Sequence, residues 1–99
     1  MRPIHLAKLD KMRPVLILTR ELVRPHRTQV TIAPITGTTR GLSTEVAVGP
    51  ANGLNAHSVV NCDNVVTVPT AALGRLVGYL LPEQEQQLTE ALVLAFDLE

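Results

Sequence analysis

Val15-Leu16-Ile17-Leu18, directly behind Met12-Arg13-Pro14, is a run of four aliphatic residues without a polar position. A strand with one wet face alternates apolar and polar residues, whereas an unbroken aliphatic run of this length is the pattern of a strand covered on both faces. The reading predicts a central strand with a layer on each side. Toward the N terminus, Ile4 and Leu6 alternate as a first strand, and Lys11 and Met12 leave room only for a tight connection. Toward the C terminus, residues 28–35 form a third strand with Val30 and Ile32 on one face. Thr36-Gly37-Thr38-Thr39-Arg40-Gly41 follows as an ordered loop of glycines and small hydroxyls. Residues 42–48 alternate again, 49–53 read as a turn, and 58–62 and 65–68 as two further strands.

After a turn over 70–74 and a short strand near 77–80, the period changes from two to 3.6. Pro82 suits the first helical position, and Glu83 and Glu85 complement the positive end of the helix dipole. The apolar stripe of this helix is Leu88, Ala91, Leu92, Ala95 and Phe96, and Val93 and Leu94 widen it past a single partner surface. Many short strands ending in one helix predict a mainly β protein: one domain over residues 1–99, folded as a small curled barrel closed or flanked by that helix.

Composition narrows the function. Ninety-nine residues suffice for one core, and 45% hydrophobic against 18% charged residues exclude a disordered chain. Aromatics are 2%, so a platform of rings for stacking single-stranded bases cannot be assembled, and any contact to bases must use other chemistry. The single cysteine, Cys62, has no internal disulfide partner and reads as a small buried hydrophobe. The longest apolar run, 91–96, is too short to span a membrane, and the expected location is the cytoplasm. Formal net charge is zero, yet residues 1–44 carry eight Lys and Arg against two acids, a net +6, and residues 45–99 carry the compensating −6. Either the halves occupy different faces and the first attracts phosphates, or the sheet interleaves them.

No metal, and no other cofactor, is expected: Cys62 stands alone, and His5, His26 and His57 fall on different elements. Neither a nucleophile elbow nor a phosphate-binding glycine loop is present. Two features remain, Arg13 opening the buried strand and Thr36 opening the hydroxyl-rich loop at another strand's end. Spacing leaves Arg13 open to two readings, a surface residue capping a strand beside Pro14 or a phosphate-gripping cation. A guanidinium can hold two phosphate oxygens at once and counter the charge of a crowded phosphorus. RNA cleavage needs little more, because the 2′-hydroxyl already sits beside the phosphorus and has only to be aligned and deprotonated. His5 is open to an acid–base role or to simple packing, and His26 reads as a loop residue among Arg24 and Arg27.

At these residues the chain resembles the MazF/PemK family of toxin endoribonucleases. The matching segments are 12–19 (Arg-Pro and an aliphatic run), 33–39 (Pro-x-Thr before a Thr-rich turn), 58–64 and 72–78, in the family's order. The resemblance implies an SH3-like barrel of the CcdB/PemK type with a C-terminal helix, working as a homodimer. It implies metal-independent cleavage of single-stranded RNA at short sequences, leaving a 2′,3′-cyclic phosphate and a 5′-hydroxyl, and neutralisation by a cognate MazE-like antitoxin. The family's catalytic residues fall on Arg13 and Thr36, and the RNA-binding positions are expected at Lys11, Arg20, Thr38, Thr39, Arg40 and Asn64. The alternative is a non-catalytic toxin of the same barrel that poisons a protein such as DNA gyrase. One departure stands out: the long acidic loop that covers the family's site is replaced by Asp10-Lys11-Met12. An open groove is expected, with no counterpart to that loop's acid, leaving Thr36, solvent or Glu21 to handle the second proton.

Overall fold

In the computed structural model, which describes residues 1–98, Val15, Leu16 and Ile17 of the aliphatic run lie in β2 (Met12–Ile17), between β1 (Pro3–Lys8) and β3 (Gln29–Thr36), and Leu18 follows the strand's end. The other strands are β4 (Glu45–Val48), β5 (Ser58–Asn61), β6 (Val66–Pro69) and β7 (Leu73–Tyr79), followed by helix α1 (Pro82–Ala95). All pairings are antiparallel, in the order β4-β5-β3-β2-β1-β7, with β6 also on β3. One edge of β3 is shared: its first half pairs with β6 (Gln29 to Ile32) and its last two residues pair with β5. The sheet therefore curls around β3, as expected of a small barrel flanked by a helix.

Alternation along β2 divides the core in two, as its aliphatic run predicts. Leu16 joins Ile4, Ala33, Ile35, Val46, Val60 and Leu88 beneath α1. Val15 and Ile17 point the other way, to Ala7, Val30, Ile32 and Val68. Truncating Ile4, Leu16, Ile17, Ile32, Ile35 or Leu88 to Ala would cost about 2–5 kcal/mol through lost burial and the cavity left behind.

Two expectations are corrected. β7 begins at Leu73, earlier than the strand read near 77–80, because it is an edge strand paired only with β1 and half of it is exposed, so its burial leaves no alternation in the sequence. In α1, Leu88 and Ala91 are buried and Leu92 and Ala95 pack against the core, but Phe96 is 54% exposed. The helix ends at Ala95 with Phe96 as its C-cap, and the chain turns into a left-handed conformation at Asp97 (φ 54°), so Phe96 stands at the end of the stripe, past the part that packs on the core. Val93, Leu94 and Leu98 are exposed with it.

Candidate active site

The β2–β3 register pairs Val15 with Pro34 and Leu16 with Ala33, and two steps further along it Arg13 stands opposite Thr36. Both side chains belong to the face of Val15 and Ile32, at the end of the sheet where β2 begins and β3 ends. There they line a pocket of about 180 Å³ with Pro34, Thr38, Arg40, Glu45, Asn61 and Asn64. Five of the eight residues expected to act on RNA are thus gathered: Arg13, Thr36, Thr38, Arg40 and Asn64. Thr39 stands beside them with its hydroxyl donating to Glu45, 3.4 Å, and Lys11 is exposed on the adjoining β1–β2 connection.

Arg20 is not brought to the pocket. It follows the far end of β2 and lines a separate depression with Arg2, Glu21, Arg24 and Glu85. The basic half of the sequence is therefore split between the two ends of the sheet. At the far end three of the cations are already engaged: Glu21 meets the N-terminal amine at 2.8 Å and Arg24 at 3.6 Å, and Arg2 meets Glu85 at 3.6 Å. Arg2 and Arg24 also donate to the carbonyls of Ile17, Leu18 and Thr19. Glu21 is consequently excluded as a proton-handling group for Arg13. His5 is not brought to the pocket either: it lines a separate depression with Glu21, Arg24, Leu76 and Tyr79, and its Nδ1 is hydrogen-bonded to the Gly74 carbonyl at 3.0 Å.

The connection between β1 and β2 brings a carboxylate, Asp10, against Arg13, where the sequence reading expected no acid. Arg13 Nε and Nη2 donate to the two carboxylate oxygens of Asp10 at 3.1 and 3.3 Å, a two-point grip. The Lys11 backbone N–H donates to the same carboxylate at 3.0 Å. The hydrogen bond from Arg13 is the main cause holding the Asp10 carboxyl below its ordinary range. The tight turn places the acid three residues before the arginine, within reach of its guanidinium, so no long loop is needed.

Glu45 was also missed. Its carboxylate accepts from the backbone N–H groups of Arg40 (3.1 Å) and Leu42 (3.1 Å), which folds residues 37–42 around it. Partial burial raises its pKa, but these backbone hydrogen bonds outweigh burial and the net displacement is downward. A Glu a few residues beyond a Thr-Thr-Arg-Gly turn is the one signal that could have marked it. Thr36 Oγ1 accepts from the Thr38 N–H at 3.2 Å, which leaves the hydroxyl proton free to point outward. The pocket thus offers a guanidinium and a hydroxyl donor beside two ionised carboxylates. Cys62 is fully buried, and that burial first, then the Asp63 charge, pushes its thiol up to about 11.

The profile of the PemK-like, MazF-like toxins of type II toxin–antitoxin systems matches residues 3–96. Endoribonuclease MazF3 of Mycobacterium tuberculosis is 66% identical over 99 residues, covering 100% of this chain and 96% of the relative. Probable endoribonuclease MazF5 of Mycobacterium tuberculosis is 35% identical over 86 residues, 86% of this chain and 79% of the relative. Among solved structures, the Mycobacterium tuberculosis toxin MazF-mt6 superposes with a TM-score of 0.97 at 65% identity, covering 99% of each chain. With residues 3–96 matching the profile and one relative aligned along the whole length, the chain belongs to the PemK-like, MazF-like toxin family of type II toxin–antitoxin systems.

Proposed function

We propose that this chain is a single-domain endoribonuclease toxin that cleaves single-stranded RNA at short sequences without a metal ion. The observation that carries the reading is the juxtaposition of Arg13, Thr36 and Asp10 at one sheet end. The scissile phosphate replaces the Asp10 carboxylate on the Arg13 fork, so that two donors address two non-bridging oxygens and their charge opposes the growing negative charge of the phosphorane. The Thr36 hydroxyl donates to the same group. Asp10, displaced but still ionised, accepts the 2′-hydroxyl proton as the 2′-oxygen attacks phosphorus. The bond to the 5′-oxygen breaks, water supplies the proton it takes up, and the products are a 2′,3′-cyclic phosphate and a 5′-hydroxyl.

Thr38, Thr39, Arg40, Asn64 and Lys11 surround this point and serve the flanking backbone. A purely protein-binding role, such as gyrase poisoning, gives no chemical reason to keep an arginine fork beside a threonine hydroxyl. An antitoxin that silences the enzyme must occupy the same donors, so a flexible acidic segment that imitates RNA is the expected inhibitor. The exposed Val93, Leu94, Phe96 and Leu98 supply an apolar surface for a homodimer. Among the described residues no helix is long and apolar enough to cross a membrane, and an RNA substrate places the enzyme in the cytoplasm. The test is incubation of the purified chain with single-stranded RNA in EDTA. Discrete cuts bearing 5′-hydroxyl ends are expected, and intact RNA would overturn the proposal.

A further inference from the structure

On the other side of the Arg13–Thr36 ribbon lies a larger cavity, of about 310 Å³, that the reaction above does not use. Strand alternation explains its position. Arg13 and Thr36 face the catalytic pocket, whereas their chain neighbours Pro14 and Gly37 line this cavity, one sheet layer away. Leu6, Ile35, Leu54 and Val77 give it apolar walls, and Arg75 and Asn55 stand among them with Ser58. Arg75 is the only Lys or Arg after residue 44. Among the described residues neither its guanidinium nor the Asn55 amide has an ion-pair or hydrogen-bond partner, so a surface arginine and a carboxamide are held beside an apolar slot without one.

The slot is preformed. Its outer wall is the segment after Gly53, which is clamped to β7: a Cβ on Gly53 (φ +88°) would fall 2.2 Å from the Val77 carbonyl, and one on Gly78 2.0 Å from that of Asn52. Asn52, 2% exposed, anchors the clamp by donating to the Tyr79 carbonyl (2.9 Å) and to Gln84 Oε1 (2.7 Å). The Gly49 N–H donates to Asn52 Oδ1 at 3.0 Å. A wall fixed in this way loses little freedom when a ligand enters.

We propose that this cavity receives one nucleobase of the RNA strand whose scissile phosphate lies on Arg13 and Thr36, with Arg75 and Asn55 reading its edge. The inference rests on the endoribonuclease reading and gives it a specificity subsite. A nucleobase has apolar faces and a polar edge, and so uses both the aliphatic walls and the free donors. A carboxylate would use only Arg75, and an apolar side chain would leave Arg75 and Asn55 unpaired. A chain with 2% aromatic residues cannot sort bases by stacking on rings, so shape and edge contacts must do so. A guanidinium only donates, so the part of the edge that Arg75 reads presents acceptors, as the O6 and N7 of guanine or a pyrimidine carbonyl do, while the Asn55 carboxamide can both donate and accept. Pro14 and Gly37 in this cavity directly follow Arg13 and Thr36 in the chain, so the base it receives belongs to a nucleotide close to the cut.

The experiment digests a random-sequence single-stranded RNA pool with the full chain and with Arg75→Ala and Asn55→Ala, then sequences the cut ends. Both residues are exposed, and melting curves check that the variants fold. Both variants should relax the preference at one and the same position near the cut, by about tenfold to a hundredfold, with the other positions unchanged. The slope of log affinity against log salt on uncleavable RNA should be that of the unsubstituted chain, because no phosphate contact is removed. A uniform loss at all positions with a shallower salt slope would assign Arg75 to the RNA backbone and overturn the proposal. An unchanged motif with weakened antitoxin binding would assign the cavity to the antitoxin and overturn it equally. Failure of the unsubstituted chain to cut any RNA would instead refute the endoribonuclease reading, a result distinguishable from an unchanged motif.

Discussion

Arg13→Ala is the most direct test of the catalytic geometry. In the free protein the guanidinium presents Nε and Nη2 to the two oxygens of Asp10 at 3.1 and 3.3 Å, which is the spacing that two phosphate oxygens also require. Removing one preorganised donor from a developing oxyanion costs roughly a hundredfold to a thousandfold in rate. Two donors and a full charge are lost together here, so the expected effect lies near the upper end, about a thousandfold. Arg13→Lys restores the charge but not the fork and should recover only part of that loss. The fold should survive, because the Asp10 side chain is 70% exposed and water replaces its partner. The assay is single-turnover cleavage of single-stranded RNA in EDTA alongside a thermal melt. A folded Arg13→Ala variant that cuts within tenfold of the unsubstituted rate would refute the assignment.

Asp10→Asn should slow cleavage about a hundredfold if its carboxylate takes the 2′-hydroxyl proton. In the free protein Arg13 holds the Asp10 carboxyl below its usual 3.8, so kcat/KM, which reports the free enzyme, should stay flat from pH 7 to pH 5 and fall only as pH drops through the lowered value; an acid limb near pH 6 in that profile would contradict this. Arg40→Glu, in the pocket, should weaken binding to uncleavable RNA and flatten its salt dependence, whereas Arg20→Glu, at the other end of β2, should do neither in the same titration. Leu94→Glu places a charge on a side chain that is 58% exposed in the isolated protomer, so light scattering should show a shift from dimer to the 10.7 kDa monomer with the helix retained by circular dichroism. Cys62, buried and with its pKa pushed up to about 11, should resist alkylation at pH 8 in the native protein and react on unfolding, as mass spectrometry would read.

By itself the sequence determined most of the elements and singled out Arg13 and Thr36 as candidate reacting residues. The aliphatic run from Val15 to Leu18 specified a strand covered on both faces, because only double burial tolerates four apolar residues in succession. Pro82 with Glu83 and Glu85 marked the helix start, and Arg13 and Thr36 stood out as chemistry placed at strand ends. These signals are local: periodicity and turn chemistry operate over a few residues. Which strand ends meet is set instead by register and curl, and those only the tertiary structure decided. It placed Arg20 a full strand away from Arg13 although both belong to one basic segment. It turned a three-residue connection into the source of the acid, Asp10, because the guanidinium folds back along the turn. It wound residues 37–42 around Glu45, and it left Arg75 beside an apolar slot opened by the clamp between Gly53 and Gly78. The separation of Arg20 from Arg13 and the slot beside Arg75 depend on pairing between segments distant in the chain, whereas the Asp10 and Glu45 contacts span only three to five residues and depend on how each turn folds back, which residue type and periodicity do not encode.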